Sequence, residues 1–113
     1  MVLAVEVPDM TTLVVAFEKP EGMTTEEFRE HYRQEHAPLV NDLPDLEAYE
    51  VTFPRDPGRS PYDAVARLEF PDAASFGAAM DTEAAERMQG DAANFVAEDS
   101  MVQFVGETED VLE

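Results

Sequence analysis

The chain has 113 residues, 44 % of them hydrophobic, and sets 26 acids against seven bases for a formal charge of −19. That length fits one domain with a real core, and so negative a surface disfavours nucleic acid or an anionic membrane as partner. The absence of cysteine excludes disulfides and thiolate metal sites, and no apolar run reaches the roughly 18 residues that cross a bilayer.

Acids this dense could belong to a disordered tail, but they are interspersed with well-patterned apolar residues, which speaks for a folded domain. Lys19 is the only lysine, and dense carboxylate with scarce lysine is the surface expected of a halophilic protein that needs salt to screen its self-repulsion. The opening MVLAVEVPDM has no basic region and already carries Glu6 and Asp9, so it is a poor signal peptide. The expectation is a leader over residues 1–10, a single domain over 11–113, and a cytoplasmic location.

The first strong element is TLVVAFE, residues 12–18, a β-branched, apolar run expected to be a central strand. KPEG at 19–22 is a turn. A helix then starts at Thr24, which with Glu27 forms a capping box, flanked by Met23 and Phe28 at the positions of a hydrophobic staple. Phe28 and Tyr32 share a face, whereas Arg29 and Arg33 look solvated. Pro38 disfavours helical geometry at Ala37, so the helix is expected to stop near His36, with Pro38 opening a separate turn. His31 and His36, five residues apart, would then point about 140° away from one another, and the two histidines are not expected to act on one atom.

Leu46–Phe53 reads as an alternating strand, PRDPGRSP at 54–61 as a hairpin connection, and Tyr62–Phe70 as a strand with its even positions apolar. Asp72 caps a helix over Ala73–Met80. A second short helix ends near Gly90, a further helical turn covers Asp91–Val96, and Met101–Glu107 is the last strand. The order β-α-β-β-α-β is that of an antiparallel ferredoxin-like α+β fold. Its helices cover one sheet face, and self-association is the usual cover for the other.

The run KPEGMTTEEFREHYRQEHAPLVNDLPDLEAY, with YDAVARLEFPD and GDAANFV downstream, resembles the EthD-like family, named for ethyl tert-butyl ether degradation. The motif H-[WY]-x-x-x-H-x-P-L stands here as His31, Tyr32, His36, Pro38 and Leu39, and the likeness spans most of residues 12–105. It implies a dimeric α/β-barrel of two ferredoxin-like protomers, a small-molecule pocket between each sheet and its own helices or loops, and no cofactor. It leaves the reaction open, since members of this branch include proteins that accompany an oxidising system and relatives that look like dehydratases or decarboxylases.

Among individual residues, His36 is the main candidate, as a general acid/base or a donor to a carbonyl; its other reading is a structural cap on the helix end. Asp63, on the polar face of the third strand, is its expected catalytic companion, unless it pairs with Arg67. His31, Tyr32 and Tyr49 are candidate ligand-binding residues, each also explicable as a structural histidine or a core aromatic with a tethered hydroxyl. Met80, Met88 and Met101 read as adaptable packing. No metal site is expected, because the histidine spacing does not put both on one helix face. The function expected first is a cofactor-free catabolic enzyme moving a proton next to a carbonyl, of isomerase, dehydratase or cyclase type. A non-catalytic small-molecule-binding accessory of an oxidoreductase or monooxygenase is the second, and a stress-type dimeric barrel the third.

Overall fold

Strand β1 (Thr11–Phe17) lies inside a four-stranded sheet of order β2-β3-β1-β4, with β2 at Ala48–Thr52, β3 at Ala64–Phe70 and β4 at Val102–Gly106. Every pairing is antiparallel. The coordinates are a computed structural model that describes residues 10–112, so nearly all of the expected leader lies outside the described residues. The helical elements are α1 (Thr25–His31), a π-helical turn (Tyr32–His36), α2 (Ala37–Asn41), α3 (Ala73–Met80) and α4 (Glu83–Phe95), with a short 3-10 turn at Pro57–Arg59 between β2 and β3. This is a ferredoxin-like α+β fold. Among the described residues no helix is long and apolar enough to cross a membrane.

Local chemistry explains the element starts. Thr24 accepts from the Glu27 N–H while the Glu27 carboxylate accepts from the Thr24 N–H, the capping box the sequence spells out. Asp72 caps α3 through the Ser75 N–H, and Thr82 caps α4 through the Ala85 N–H. β3 alternates as its composition requires: Ala64, Ala66, Leu68 and Phe70 are buried, and the residues between them are half-buried. The register sets Leu13 beside Leu68 and Val15 beside Ala66, so one apolar face passes unbroken across the two central strands.

Phe28 and Phe95 are fully buried where the helices meet this face; Phe17 is edge-on to both, and Tyr32 stacks on Phe17 and is edge-on to Phe95. Burying one such aromatic contributes about 1.5–3 kcal/mol, so this cluster ties α1 and α4 to the sheet. Arg29 is less solvated than the sequence implies. Its guanidinium donates to the Pro54 carbonyl at 2.7 Å and lies 5.1 Å from the centre of the Phe53 ring, with Arg33 at 5.3 Å from the same ring.

Two expectations about the helices are corrected. The first helix does not stop at His36. It widens into the π turn, where the Ala37 N–H bonds the Tyr32 carbonyl, and then runs on to Asn41. An ordinary turn would drive the Pro38 ring against the carbonyl of Gln34, and the wider turn just before the proline lets the chain stay helical. Gly90 does not end a helix either, because α4 runs through it to Phe95.

Candidate functional site

The π turn decides where the histidines point. One extra residue in the turn brings positions five apart towards the same face, so the separation of about 140° expected of a regular helix does not arise. His31 Nε2 lies 3.0 and 3.1 Å from the two carboxylate oxygens of Asp91, and His36 Nδ1 lies 3.0 Å from Oδ2 of the same carboxylate. Asn94 donates to Oδ1 at 3.0 Å. Asp91 comes from α4, where it is buried, and Phe95, one turn on, packs its ring 4.8 Å from each imidazole. The expectation that the two histidines share no target is therefore overturned: they converge on one acid.

An ionised carboxylate only accepts hydrogen bonds, so the facing ring nitrogens carry the hydrogens. His36 thus donates through Nδ1–H, and its Nε2 is left with a lone pair and no partner among the described residues. Burial lowers the His36 pKa below the ordinary imidazole value, against the upward pull of the hydrogen bond and charge of Asp91, with His31 adding to the lowering. Burial pushes the Asp91 carboxyl the other way, up, but the bonds from Asn94, His31 and His36 outweigh it and hold the group below the usual carboxylate range. The result at neutral pH is an uncharged imidazole of fixed tautomer backed by an anion, an arrangement able to take up a proton at Nε2 and hold it.

His36 also lines a cavity of about 230 Å³ between the helices and the sheet. Leu13, Val15 and Leu68 form its floor; Val40, Met80, Met88 and Phe95 form its walls. Its polar tips are His36, Tyr32, Gln89 and Gln103, and the exposed Gln89 and Met101 mark where it meets solvent. Met80, Met88 and Met101, read from the sequence as packing, all face this space.

Tyr32 lines the cavity, and its hydroxyl is hydrogen-bonded to that of Tyr49, which is not itself a lining residue. Burial, reinforced by Tyr49, drives the Tyr32 phenol far above its ordinary range, and burial raises Tyr49 to about 12 despite the bond from Tyr32. Both stay protonated at physiological pH and can offer only neutral hydrogen bonds. His31 is not among the cavity residues and lines a shallow surface groove with Glu27, Glu30 and Glu35.

Asp63 is elsewhere. Its carboxylate accepts from the Lys19 N–H at 2.8 Å, closing the turn after β1, and it is not among the cavity residues. Nor does it pair with Arg67, which reaches Glu69 at 2.8 Å and Glu50 at 3.5 Å. The carboxylate that meets His36 is Asp91, which the sequence reading missed. Its one signal was position: an acid on the stripe Ala85, Met88, Asp91, Phe95, where a helix buries apolar residues.

A ferredoxin-like sheet whose helices enclose an apolar cavity, with a carboxylate-backed histidine at its edge, places the chain in a broad class of small α+β proteins with an internal site. Residues 20–99 match the EthD domain model, and the chain belongs to the EthD family. It is similar to an ethyl tert-butyl ether degradation (EthD) family protein from Bacillus halodurans, with 28 % identity, TM-score 0.76, and coverage of 88 % of this chain and 99 % of that one. More distant likenesses show the fold alone. One is a dimeric ferredoxin-like protein of unknown function from Thermobifida fusca, at 14 % identity, TM-score 0.71 and coverage of 88 % and 91 %. Another is the hydroxynitrile lyase of Passiflora edulis, at 11 % identity, TM-score 0.75 and coverage of 95 % and 100 %. No curated protein sequence matches the chain.

Proposed function

We propose that the protein is a small-molecule enzyme in which His36 moves a proton next to a carbonyl, in an isomerisation, dehydration or cyclisation. The observation that carries this is a cavity-lining His36 whose Nδ1 lies 3.0 Å from the Asp91 carboxylate, which leaves Nε2 as the nitrogen free to meet a ligand. His36 would take the proton at Nε2, and the imidazolium so formed would gain from the adjacent Asp91 anion. Asp91 is then a positioning residue that sets tautomer and orientation. Tyr32 would offer a neutral hydrogen bond to the ligand, with Tyr49 holding its hydroxyl. His31, on the solvent side, would hold Asp91 in place. An apolar cavity of about 230 Å³ favours a small-molecule reading over a stress-type barrel that works chiefly as a dimer.

The test is proton exchange. In D2O the wild type should exchange the hydrogens next to the carbonyl in some members of a panel of lactones and cyclic enones, as followed by NMR. No exchange and no turnover across the panel would leave the cavity as a binding site and favour the accessory-protein reading.

The protein is also proposed to be a homodimer joined through the sheet face that the helices leave open. Val14 pairs with Phe104 and Ala16 with Val102 on that face, and Phe104 and Val102 are 61 % and 53 % exposed, too much contiguous apolar surface to leave in water. A structural neighbour described as dimeric agrees with this. Phe104→Glu should sediment as a folded monomer while the wild type sediments as a dimer; a wild type that stays monomeric at high concentration overturns the proposal.

A further inference from the structure

We propose that the cavity takes an uncharged ligand and excludes carboxylates, a selectivity that rests on the reading of this cavity as the substrate site. The seven bases of the chain all fall within the described residues, and none lines the cavity. Arg29 and Arg33 are occupied with Phe53. Arg67 holds Glu50 and Glu69, and Arg87 faces Glu83. Lys19, Arg55 and Arg59 sit in the turns and connections at the ends of strands. The undescribed residues, 1–9 and 113, contain no lysine or arginine.

What the cavity offers instead is neutral. Gln89 and Gln103 each present an amide with both donor and acceptor, and His36 is held uncharged at its edge. The charge standing behind the cavity is that of Asp91, which is negative. A carboxylate entering would lose its water, meet no cation, and approach that anion through one imidazole. A buried charge without a partner is among the most costly things a protein can hold. A ketone, lactone or ester loses far less on entry, and its carbonyl oxygen finds amide donors. The two glutamines lie on different elements, Gln89 on α4 and Gln103 on β4, and both are exposed lining residues. They are placed to grip the polar end of a ligand whose apolar body rests on the methionine walls.

Two molecules of one skeleton separate the alternatives: methyl benzoate and benzoate, titrated into the full-length protein by calorimetry at pH 7.5 in 2 M KCl. At that salt the Debye length is below about 3 Å, so the overall negative field no longer decides the outcome. Methyl benzoate should bind on the order of tenfold or more tighter than benzoate. Gln103→Arg, which places a guanidinium at the cavity mouth, should reverse the preference; Gln89→Arg is the second carrier of the same test. Benzoate binding as well as the ester, binding of neither compound, or folded arginine variants with unchanged preference would overturn the proposal. Failure of the proton-transfer reading looks different: the ester still binds more tightly than benzoate, yet no panel compound exchanges a proton. Turnover confined to acids would spare the proton-transfer reading and remove this one.

Discussion

His36→Ala should lower kcat/KM by about 10²- to 10⁴-fold, the range expected when a general base is removed, with the fold intact by circular dichroism and ligand binding retained. The more telling variant is Asp91→Asn. An amide has one acceptor oxygen where the carboxylate has two, and it carries no charge. The Asp91 carboxylate raises the His36 pKa through its hydrogen bond and its charge, so its removal should let that pKa fall further. His36 acts as a base only while neutral. In the wild type kcat/KM should therefore rise as pH climbs through a value below the ordinary imidazole value of 6.5 and then level off. In Asp91→Asn the rise should move to lower pH and level off at a lower rate, because a less basic imidazole takes the proton less readily. A purely structural Asp91 would change stability and leave the position of the limb where it was. An unmoved limb with a normal plateau would remove Asp91 from the chemistry.

The same groups set a stability profile of definite sign. His36 has its pKa lowered by folding, so below 6.5 the unfolded chain binds a proton that the folded chain refuses, and stability declines as pH falls through that window. Asp91 also has its pKa lowered, so its contribution is present above its ordinary value of 3.8 and is lost as pH falls through the folded value. The two losses follow one another on acidification, and the histidine acts first.

Much of the scaffold could be read from residues because each decision is local. The β-branched run ending at Phe17, the Thr24–Glu27 box, the alternation of β3 and the Asp72 cap each depend on neighbours a few positions away, and each appears where expected. The site was legible only in part. His36 was picked out by its place before Pro38, and it does face the cavity. The angle between the histidines was wrong because a period of 3.6 residues was assumed through a stretch that contains a π turn. Pro38 was taken as a stop, though a chain can also answer it by widening the turn before it. Asp91 escaped for another reason. In a chain with 26 acids one more aspartate carries no information until its burial and its two imidazole neighbours are known. Asp63 drew attention as a charge on an otherwise apolar strand, yet its duty is a backbone N–H at the end of β1.

Transfer from 2 M KCl to 20 mM KCl should lower the melting temperature steeply and leave part of the chain unfolded at room temperature. The formal charge of −19 sits on a domain with a radius of gyration of 15.6 Å. At 1 M salt the Debye length is about 3 Å and each carboxylate feels only its immediate neighbours; at 0.01 M it is about 30 Å and nearly every acid repels every other. Local design adds to this, because Glu26 and Glu30 are exposed like charges four apart on α1, a spacing that opposes the helix. The opposing attractions among the described residues are few. Arg67 bridges Glu50 and Glu69, and the 3.7 Å pair of Arg87 with Glu83 is solvent-exposed and contributes little. Unfolding moves the charges apart, so the repulsion falls on the folded state and salt relieves it there. Sucrose raised to the same osmolality serves as the control. It favours compact states by exclusion from the surface but screens no charge, so it should recover much less of the lost stability than KCl. Melting curves that coincide at the two salt concentrations would show that the acidic surface is tolerated without screening.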